Sequence, residues 1–313
     1  MPNVREIEYS PHETYQGMVK EGRKDGTGIF EEKNGDIYLG EWAHDQYHGE
    51  GILIRKNGER YEGQMQMGKC DGEGIYYYVD GRVYKGTWSN DVIHGYGAEE
   101  GAHFYEGEWE HGFWHGKGYL KLKDGSVYEG LFFQGFPHGA GLFRNPLVTV
   151  EGEFREGSIN GECTVTYKSG EKLRGRFKEQ SLLKGTLQFA NGDKYEGEMS
   201  EGSWQGEGSY FYSTGDCYMG HFKLGKKHGY GKMLFVNGDI YEGTWQAGAK
   251  HGEGTYRWKN GVVFQGNFWL DKREGQGVLF YPSGLKLIGY WRGDARDEES
   301  LVYESVPPPT YHS

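Results

Sequence analysis

The chain has 313 residues, 55 of them glycine, and a formal net charge of −11. This charge disfavours nucleic acid as a partner, because nucleic-acid binding requires a basic face. The three cysteines are an odd number without paired spacing, which is typical of a reducing compartment. We expect neither a signal peptide nor a membrane-spanning segment, and therefore a cytoplasmic protein.

Residues 1–14 precede the first repeat, and we expect them to cap one edge of the fold. From residue 15 onward the sequence repeats every 21 to 23 residues. An apolar residue opens each unit, a glycine follows two positions later, and a large apolar residue follows two positions after that. The thirteen openings are Tyr15, Tyr38, Tyr61, Tyr84, Tyr105, Tyr128, Val150, Leu173, Tyr195, Tyr218, Tyr241, Phe264 and Leu287.

Each unit predicts two β-strands with one apolar and one polar face. In the stretch from Tyr241 to Trp245, the tyrosine, the glycine and the tryptophan alternate with polar residues. Asn-Gly and Asp-Gly pairs such as Asn237-Gly238 separate the units and predict two-residue hairpin turns. The sequence thus predicts an all-β fold, an elongated, twisted, single-layer antiparallel meander of about 25 strands and roughly 120 Å.

The aromatic face is too large for one layer to hide, so we predict that part of it forms an open groove for a partner. The glycines leave room for a ring from the neighbouring strand to lie flat on the sheet. The predicted groove residues are Tyr38, Trp42, Tyr84, Trp88, Tyr105, Trp109, Tyr241 and Trp245.

The array spans residues 15–293, its last unit is incomplete, and it is irregular at 150–190. Just before this segment, the pair Asn145-Pro146 is expected to interrupt the strand ladder, and within it two units lose the opening tyrosine. Drift of a tolerated repeat and a bend or docking point are two interpretations that the sequence leaves open. The residues concerned are Pro146, Val150, Cys163, Leu173, Leu182 and Leu183.

Residues 294–313 form a charged tail that contains three consecutive prolines, Pro307 to Pro309. It is interpreted either as a loose tail or as an anchor on a partner. Because both ends of an open sheet leave a strand edge unpaired, a homodimer through the edge strands is a further hypothesis.

The unit Tyr-Glu-Gly-x-Trp-x-x-Gly-x-x-His-Gly-x-Gly resembles the MORN repeat (membrane occupation and recognition nexus). It is nearly intact at 105–118, 128–141 and 241–254, and the resemblance covers almost the whole chain. It implies an elongated sheet used as a scaffold, as in radial-spoke head proteins and cytoskeletal proteins. Enzymes with MORN repeats carry a separate catalytic domain, and the roughly twenty residues after Gly293 leave no room for one.

The sequence contains no catalytic or ligand-binding motif that would favour another function over a scaffold. Histidines recur in the units, but equivalent positions lie about 9.5 Å apart, too far to share a metal ion. The glycine-rich strings lack the helix and the Gly-Lys-Ser/Thr ending of a phosphate loop. The carboxylates fall on the polar face of the strands, which we expect to face solvent. We therefore predict no catalytic, metal or cofactor site.

Two functions follow as hypotheses. The favoured one is a structural scaffold that binds other proteins of a large assembly, in a ciliary or flagellar axoneme or another part of the cytoskeleton. The alternative is a peripheral membrane module that binds anionic phospholipids or tethers membrane to cytoskeleton. The net charge of −11 disfavours the alternative.

Overall fold

A computed structural model describes residues 4–305, without the side chains of residues 299–301 and 305. Parts of the predicted cap and tail, residues 1–3 and 306–313 with the three prolines, lie outside this range. The described residues form 27 β-strands and no helix, which confirms the all-β prediction. Accordingly, no helix in residues 4–305 is long and apolar enough to cross a membrane.

The chain divides into two compact units, residues 1–158 and 159–313. In the first unit every strand pairs antiparallel with the strands next to it in sequence, so the unit is a meander. Its strands are β1 (Val4–Ser10), β2 (Glu13–Lys20), β3 (Arg23–Glu31), β4 (Ile37–Ala43), β5 (Gln46–Ile54), β6 (Arg60–Gln66), β7 (Lys69–Tyr77), β8 (Val83–Ser89), β9 (Val92–Glu100), β10 (Phe104–Glu110), β11 (Phe113–Lys121), β12 (Val127–Phe133), β13 (Phe136–Arg144) and β14 (Val148–Arg155).

The second unit has the same neighbour-to-neighbour antiparallel pairing, from its first strand to its last. Its strands are β15 (Ser158–Tyr167), β16 (Lys172–Lys178), β17 (Ser181–Gln188), β18 (Lys194–Ser200), β19 (Ser203–Phe211), β20 (Cys217–Lys223), β21 (Lys226–Leu234), β22 (Ile240–Gln246), β23 (Ala249–Arg257), β24 (Val263–Trp269), β25 (Lys272–Phe280), β26 (Leu285–Arg292) and β27 (Ala295–Ser305). Residues 295–305, assigned to the tail from the sequence, thus form a strand paired with β26.

The two strands of a repeat pair differently from strands of successive repeats. Between β22 and β23, which form one repeat, the register shifts between Gly243 and Trp245. Between β23 and β24, which belong to successive repeats, the six residue pairs are regular. Such a shift is a β-bulge, which bends the strand and increases its local twist. A bulge within two residues of the corresponding glycine recurs in the other repeats whose two strands have a described pairing.

The turns differ from the prediction. Asn34 does not have a positive φ, whereas Gly35 has a φ of 91°, and the loop spans residues 32–36 between β3 and β4. The Gly35 N–H donates to the Glu32 carbonyl at 2.8 Å, as in a four-residue turn that ends in a left-handed glycine. The tight two-residue turns lie within the repeats. At His44-Asp45 both residues have a positive φ, 51° and 67°.

Candidate interaction surface

The eight aromatic side chains predicted to line an open groove are buried. The four tyrosines among them are fully buried, and the four tryptophans are between 4% and 9% exposed. They therefore form the core of their units, and the open surface that the groove prediction required is not formed by these side chains. The residues corrected in this way are Tyr38, Trp42, Tyr84, Trp88, Tyr105, Trp109, Tyr241 and Trp245.

Burial is complete because the rings of successive repeats pack edge to face. The ring of Tyr241 lies 5.1 Å from the ring of Trp245 in its own repeat, at an interplanar angle of 90°. It lies 5.0 Å from the ring of Phe268 in the next repeat, at 82°. Edge-to-face pairs at these distances are favourable beyond the area that they bury. The rings thus form a continuous row within the unit.

The glycines make room for the tyrosine of their own repeat. A Cβ atom on Gly254 would lie 2.5 Å from the Tyr241 hydroxyl oxygen and 2.6 Å from the ring. A Cβ atom on Gly243 would lie 2.5 Å from the Cα atom of Gly254, which pairs with it across the hairpin. Gly254 on β23 therefore admits the ring of Tyr241 from the neighbouring strand β22, within the same repeat rather than from the next one.

The tyrosine hydroxyl satisfies a backbone carbonyl at the bulge. Tyr241 donates to the carbonyl of Thr244 at 3.0 Å, at the point where the register shifts. Burial raises the pKa of Tyr241, which keeps the hydroxyl protonated as a donor. The same bond to the third following residue is made by Tyr15, Tyr38, Tyr61, Tyr84, Tyr105, Tyr128, Tyr195 and Tyr218.

A second position in the repeat lies beside the tyrosine ring, and in several repeats it holds an aromatic ring or a cation. Trp204 stacks on Tyr195 with ring centroids 5.1 Å apart and an interplanar angle of 15°. One repeat later, Lys227 holds this position, and its Nζ atom lies 4.2 Å from the Trp245 ring centroid. Burial lowers the pKa of Lys227. The lysine is thus a packing residue of the core.

The residues of the irregular segment are mostly buried. Val150 and Cys163 are fully packed, Leu173 is half-buried, and Leu182 fills part of the space that a tyrosine ring would take beside Gly175. Only two of the six predicted residues are exposed. These are Pro146 and Leu183.

The proline does not interrupt the strand ladder. Pro146 lies in the turn between β13 and β14, and the pairing of these strands is regular from Gly139–Phe154 to Arg144–Thr149. The side-chain oxygen of Asn145 accepts hydrogen bonds from the backbone N–H groups of the turn, at 2.8 Å. Residue 146 lies in the turn, where the strand ladder uses no backbone N–H, so the missing N–H of proline breaks no pairing and the predicted interruption is wrong.

The open surface of the first unit lies on the polar face of its strands. Glu106, Tyr119, Glu129, Leu142 and Glu151 are successive cross-strand partners on five neighbouring strands, β10 to β14. They form a row in which carboxylates alternate with apolar side chains. We call these five residues the acidic row. The acidic row lies in an open groove of about 1000 Å³.

Exposed aromatic side chains continue this surface toward the turns. Leu131 lines the groove, and Phe133 lies two positions further along β12, on the same face. Phe113, Phe133 and Phe136 are 57%, 47% and 56% exposed. We call these four side chains the apolar patch. The ring of Phe133 also packs beside two histidine rings. Its centroid lies 5.4 Å from that of His115 and 5.6 Å from that of His138.

The sequence reasoning missed both features, although the repeat alignment carried a signal. Leu131 and Phe133 occupy outward positions at which the repeat before them has Glu108 and Glu110. Apolar residues at positions that are usually polar in an array indicate a surface with a role of its own.

No group of three metal-binding side chains comes together in the part of the chain that the structure describes. The recurring histidines have varied contacts. Nδ1 of His115 lies 3.1 Å from a carboxylate oxygen of Glu110, and the ring of His251 packs on Trp269 at 4.4 Å.

These features define a class: a tandem array of β-hairpins with an internal aromatic row, of the kind that serves as an interaction module. The MORN repeat matches eleven segments of the chain, at 15–37, 38–60, 61–81, 84–102, 105–127, 128–146, 151–172, 195–217, 218–240, 241–263 and 264–286. Together they cover well over half of the sequence, and the chain belongs to the MORN-repeat family. MORN repeats are generally non-enzymatic protein- or membrane-interaction modules.

Solved structures give only remote similarities. The TCP10 domain of Danio rerio CPAP in complex with a STIL peptide is 10% identical, with 87% of this chain and 99% of that chain covered and a TM-score of 0.24. The TCP domain of Drosophila melanogaster SAS-4 with a proline-rich motif of Ana2 is 13% identical, with 71% and 86% covered and a TM-score of 0.16. Virginiamycin B lyase from Staphylococcus aureus is 10% identical, with 82% and 91% covered and a TM-score of 0.15.

These scores support no functional argument. A comparison with curated protein sequences gave no match.

Proposed function

We propose that this chain is a non-catalytic scaffold that binds other proteins of a large cytoplasmic assembly, with the cytoskeleton of a ciliary or flagellar axoneme as its setting. One observation carries the proposal. The core is complete without the apolar patch, yet Phe113, Phe133 and Phe136 are about half exposed. An apolar surface that the core does not need is typical of a partner site.

The axonemal setting is supported by the kind of protein in which such arrays occur. The MORN repeat matches most of the described chain, and the resemblance drawn from the sequence includes radial-spoke head proteins among the proteins with such arrays. An array of repeats offers binding positions at regular spacing, which suits a structural role.

Proximity labelling tests this setting. The full chain, fused to a labelling enzyme, is expressed in ciliated cells, and biotinylated proteins are identified by mass spectrometry. We expect axonemal proteins to be enriched over membrane proteins, relative to the free labelling enzyme. Equal enrichment of the two classes would refute the axonemal proposal. Light scattering of the purified chain would test the homodimer through edge strands separately.

A membrane function is the second candidate, because one repeat reverses the charge of the polar face. Arg174, Arg176, Lys178 and Lys184 are all exposed on β16 and β17. None has a carboxylate within ion-pair distance among the described residues. Four such cations can attract anionic lipid, whereas the net charge of −11 opposes it.

Flotation with vesicles decides between the candidates. Phosphatidylcholine vesicles with and without phosphatidylinositol bisphosphate are mixed with the chain and with an Arg174→Glu, Arg176→Glu variant. Salt-sensitive flotation that the variant loses would support the membrane function. The absence of flotation, which we expect, supports the scaffold.

A further inference from the structure

We propose that the acidic row and the apolar patch together form a docking site for a basic amphipathic helix of a partner protein. The inference rests on the proposed scaffold function and names its partner class. Three observations carry it: the exposed side chains of the apolar patch, the carboxylates of the acidic row, and the spacing of that row.

The apolar part of the site is confined to one place in the first unit. The outward positions of β12 hold Leu131 and Phe133, and the adjoining turn adds Phe136. A Cβ atom on Gly135 would lie 4.0 Å from the Phe113 ring, so Phe113 lies against the same turn. Phe133 and Phe136 are cross-strand partners beside this turn, so the exposed rings lie around one turn, where a partner can cover them.

The charge of the site requires a cationic partner. Glu106, Glu129 and Glu151 are exposed in the row, and none has a lysine or arginine within ion-pair distance in residues 4–305. Lys117 and Arg144 also line the groove, but they leave its carboxylates in excess. Lysine and arginine residues of a partner would meet these carboxylates next to apolar contacts, where opposite charges give specificity and orientation.

The spacing of the row distinguishes a helix from an extended segment. Neighbouring strands lie about 4.8 Å apart, so carboxylates on alternate strands are about 9.6 Å apart, with an apolar residue midway. In an α-helix, seven residues span about 10.5 Å, and a residue three or four positions on lies midway on the same face. An extended segment repeats each face every 6.8 Å or so and falls out of step with the row. A helix that crosses the strands, with cations seven residues apart and leucines between them, fits the row.

Fluorescence anisotropy with synthetic peptides tests the proposal on the purified full chain. The probe is an 18-residue labelled helix of alanine and glutamine with arginines seven residues apart and leucines midway between them. One control peptide has glutamate in place of arginine, and another has the same composition in scrambled order. We expect the probe to bind at least about ten times more tightly than either control, because only the probe presents both features on one face.

Variants of the chain locate the binding. Phe133→Ser with Phe136→Ser is expected to weaken probe binding about ten-fold, and Glu129→Gln with Glu151→Gln about three-fold with a weaker salt dependence. The matched controls are Trp269→Ser, which removes an exposed aromatic ring in the second unit, and Glu242→Gln with Glu253→Gln, which removes two carboxylates there. Unchanged thermal midpoints would show that the variants fold, as expected for exposed side chains.

Two outcomes would overturn the docking site. Binding of the scrambled peptide within two-fold of the probe would mean that net charge alone attracts it. Equal binding by the Phe133, Phe136 variant would place the helix elsewhere. Neither outcome bears on the axonemal setting, which proximity labelling tests in cells.

Discussion

The close packing between the Tyr241 ring and the glycine pair Gly243 and Gly254 gives the sharpest test of the fold. In Gly254→Ala, the new Cβ atom would lie within 2.7 Å of three atoms of the Tyr241 side chain. Real contacts at this distance do not occur, so the ring has to leave its place. The Tyr241 side chain is fully buried and donates one hydrogen bond.

The expected cost follows from what the ring loses. Removal of a large aromatic side chain from a core costs about 3–5 kcal/mol, and an unsatisfied buried carbonyl at Thr244 adds about 1 kcal/mol. Partial retention of the ring contacts lowers the sum, and we expect Gly254→Ala to reduce the free energy of unfolding by about 3–4 kcal/mol.

A double-mutant cycle separates this mechanism from a general effect of alanine in a strand. In a Tyr241→Ala background the ring is absent, so Gly254→Ala should cost less than about 1 kcal/mol, and the coupling energy should exceed about 2 kcal/mol. Because long repeat arrays depart from two-state unfolding, local hydrogen exchange of β22 and β23 is the appropriate assay. Additive costs of the two substitutions would refute the role given to the ring.

Three further predictions use the repeats as internal standards. Gly248→Asp should stabilise the chain by about 0.5–1 kcal/mol in thermal unfolding, because an aspartate at this turn position accepts a hydrogen bond from a backbone N–H of the preceding repeat, as Asp271 does from Lys250; a destabilised variant would contradict this. Lys227→Trp should keep the thermal midpoint, since Trp204 fills the same position, whereas Lys227→Ala should lower it; equal midpoints for the two variants would contradict the packing role. Hydrogen bonds from the Ser213 N–H and the Tyr210 hydroxyl lower the pKa of Asp193 to about 2, so its stabilisation is present above pH 4 or so and is lost as the pH falls toward 2. In an acid titration followed by tryptophan fluorescence, the Asp193→Asn variant should lose stability less steeply below pH 4 than the unchanged chain. The same pH dependence in both chains would contradict the role given to Asp193.

The site was less accessible to sequence reasoning than the fold. Alternation correctly separated an aromatic face from a polar face, but it could not say which face stays open. The pattern predicts the aromatic face as the partner groove, because nothing in it shows how a single layer covers Tyr241 and Trp245. Edge-to-face contacts between successive repeats and a ring laid over Gly243 and Gly254 cover them. These contacts depend on side-chain directions that a strand pattern does not specify.

The turns illustrate the same limit. Asn-Gly pairs marked the correct junctions between repeats, as Asn34-Gly35 does between β3 and β4. The loop length there follows from which residues pair across the hairpin. His44 and Asp45 form a two-residue turn without glycine. Their positive φ also follows from the register of the hairpin.

The sequence by itself determined the all-β class, the repeat length and the family, because these depend on periodicity and on the residue types that recur. Only the tertiary structure decided which side chains are buried and which are open. In the repeat of Tyr241 the hydroxyl donates to a backbone carbonyl at the bulge, and the ring contacts a ring of the next repeat. As a result the aromatic face became the core, and Phe113, Phe133 and Phe136 were left on the polar face.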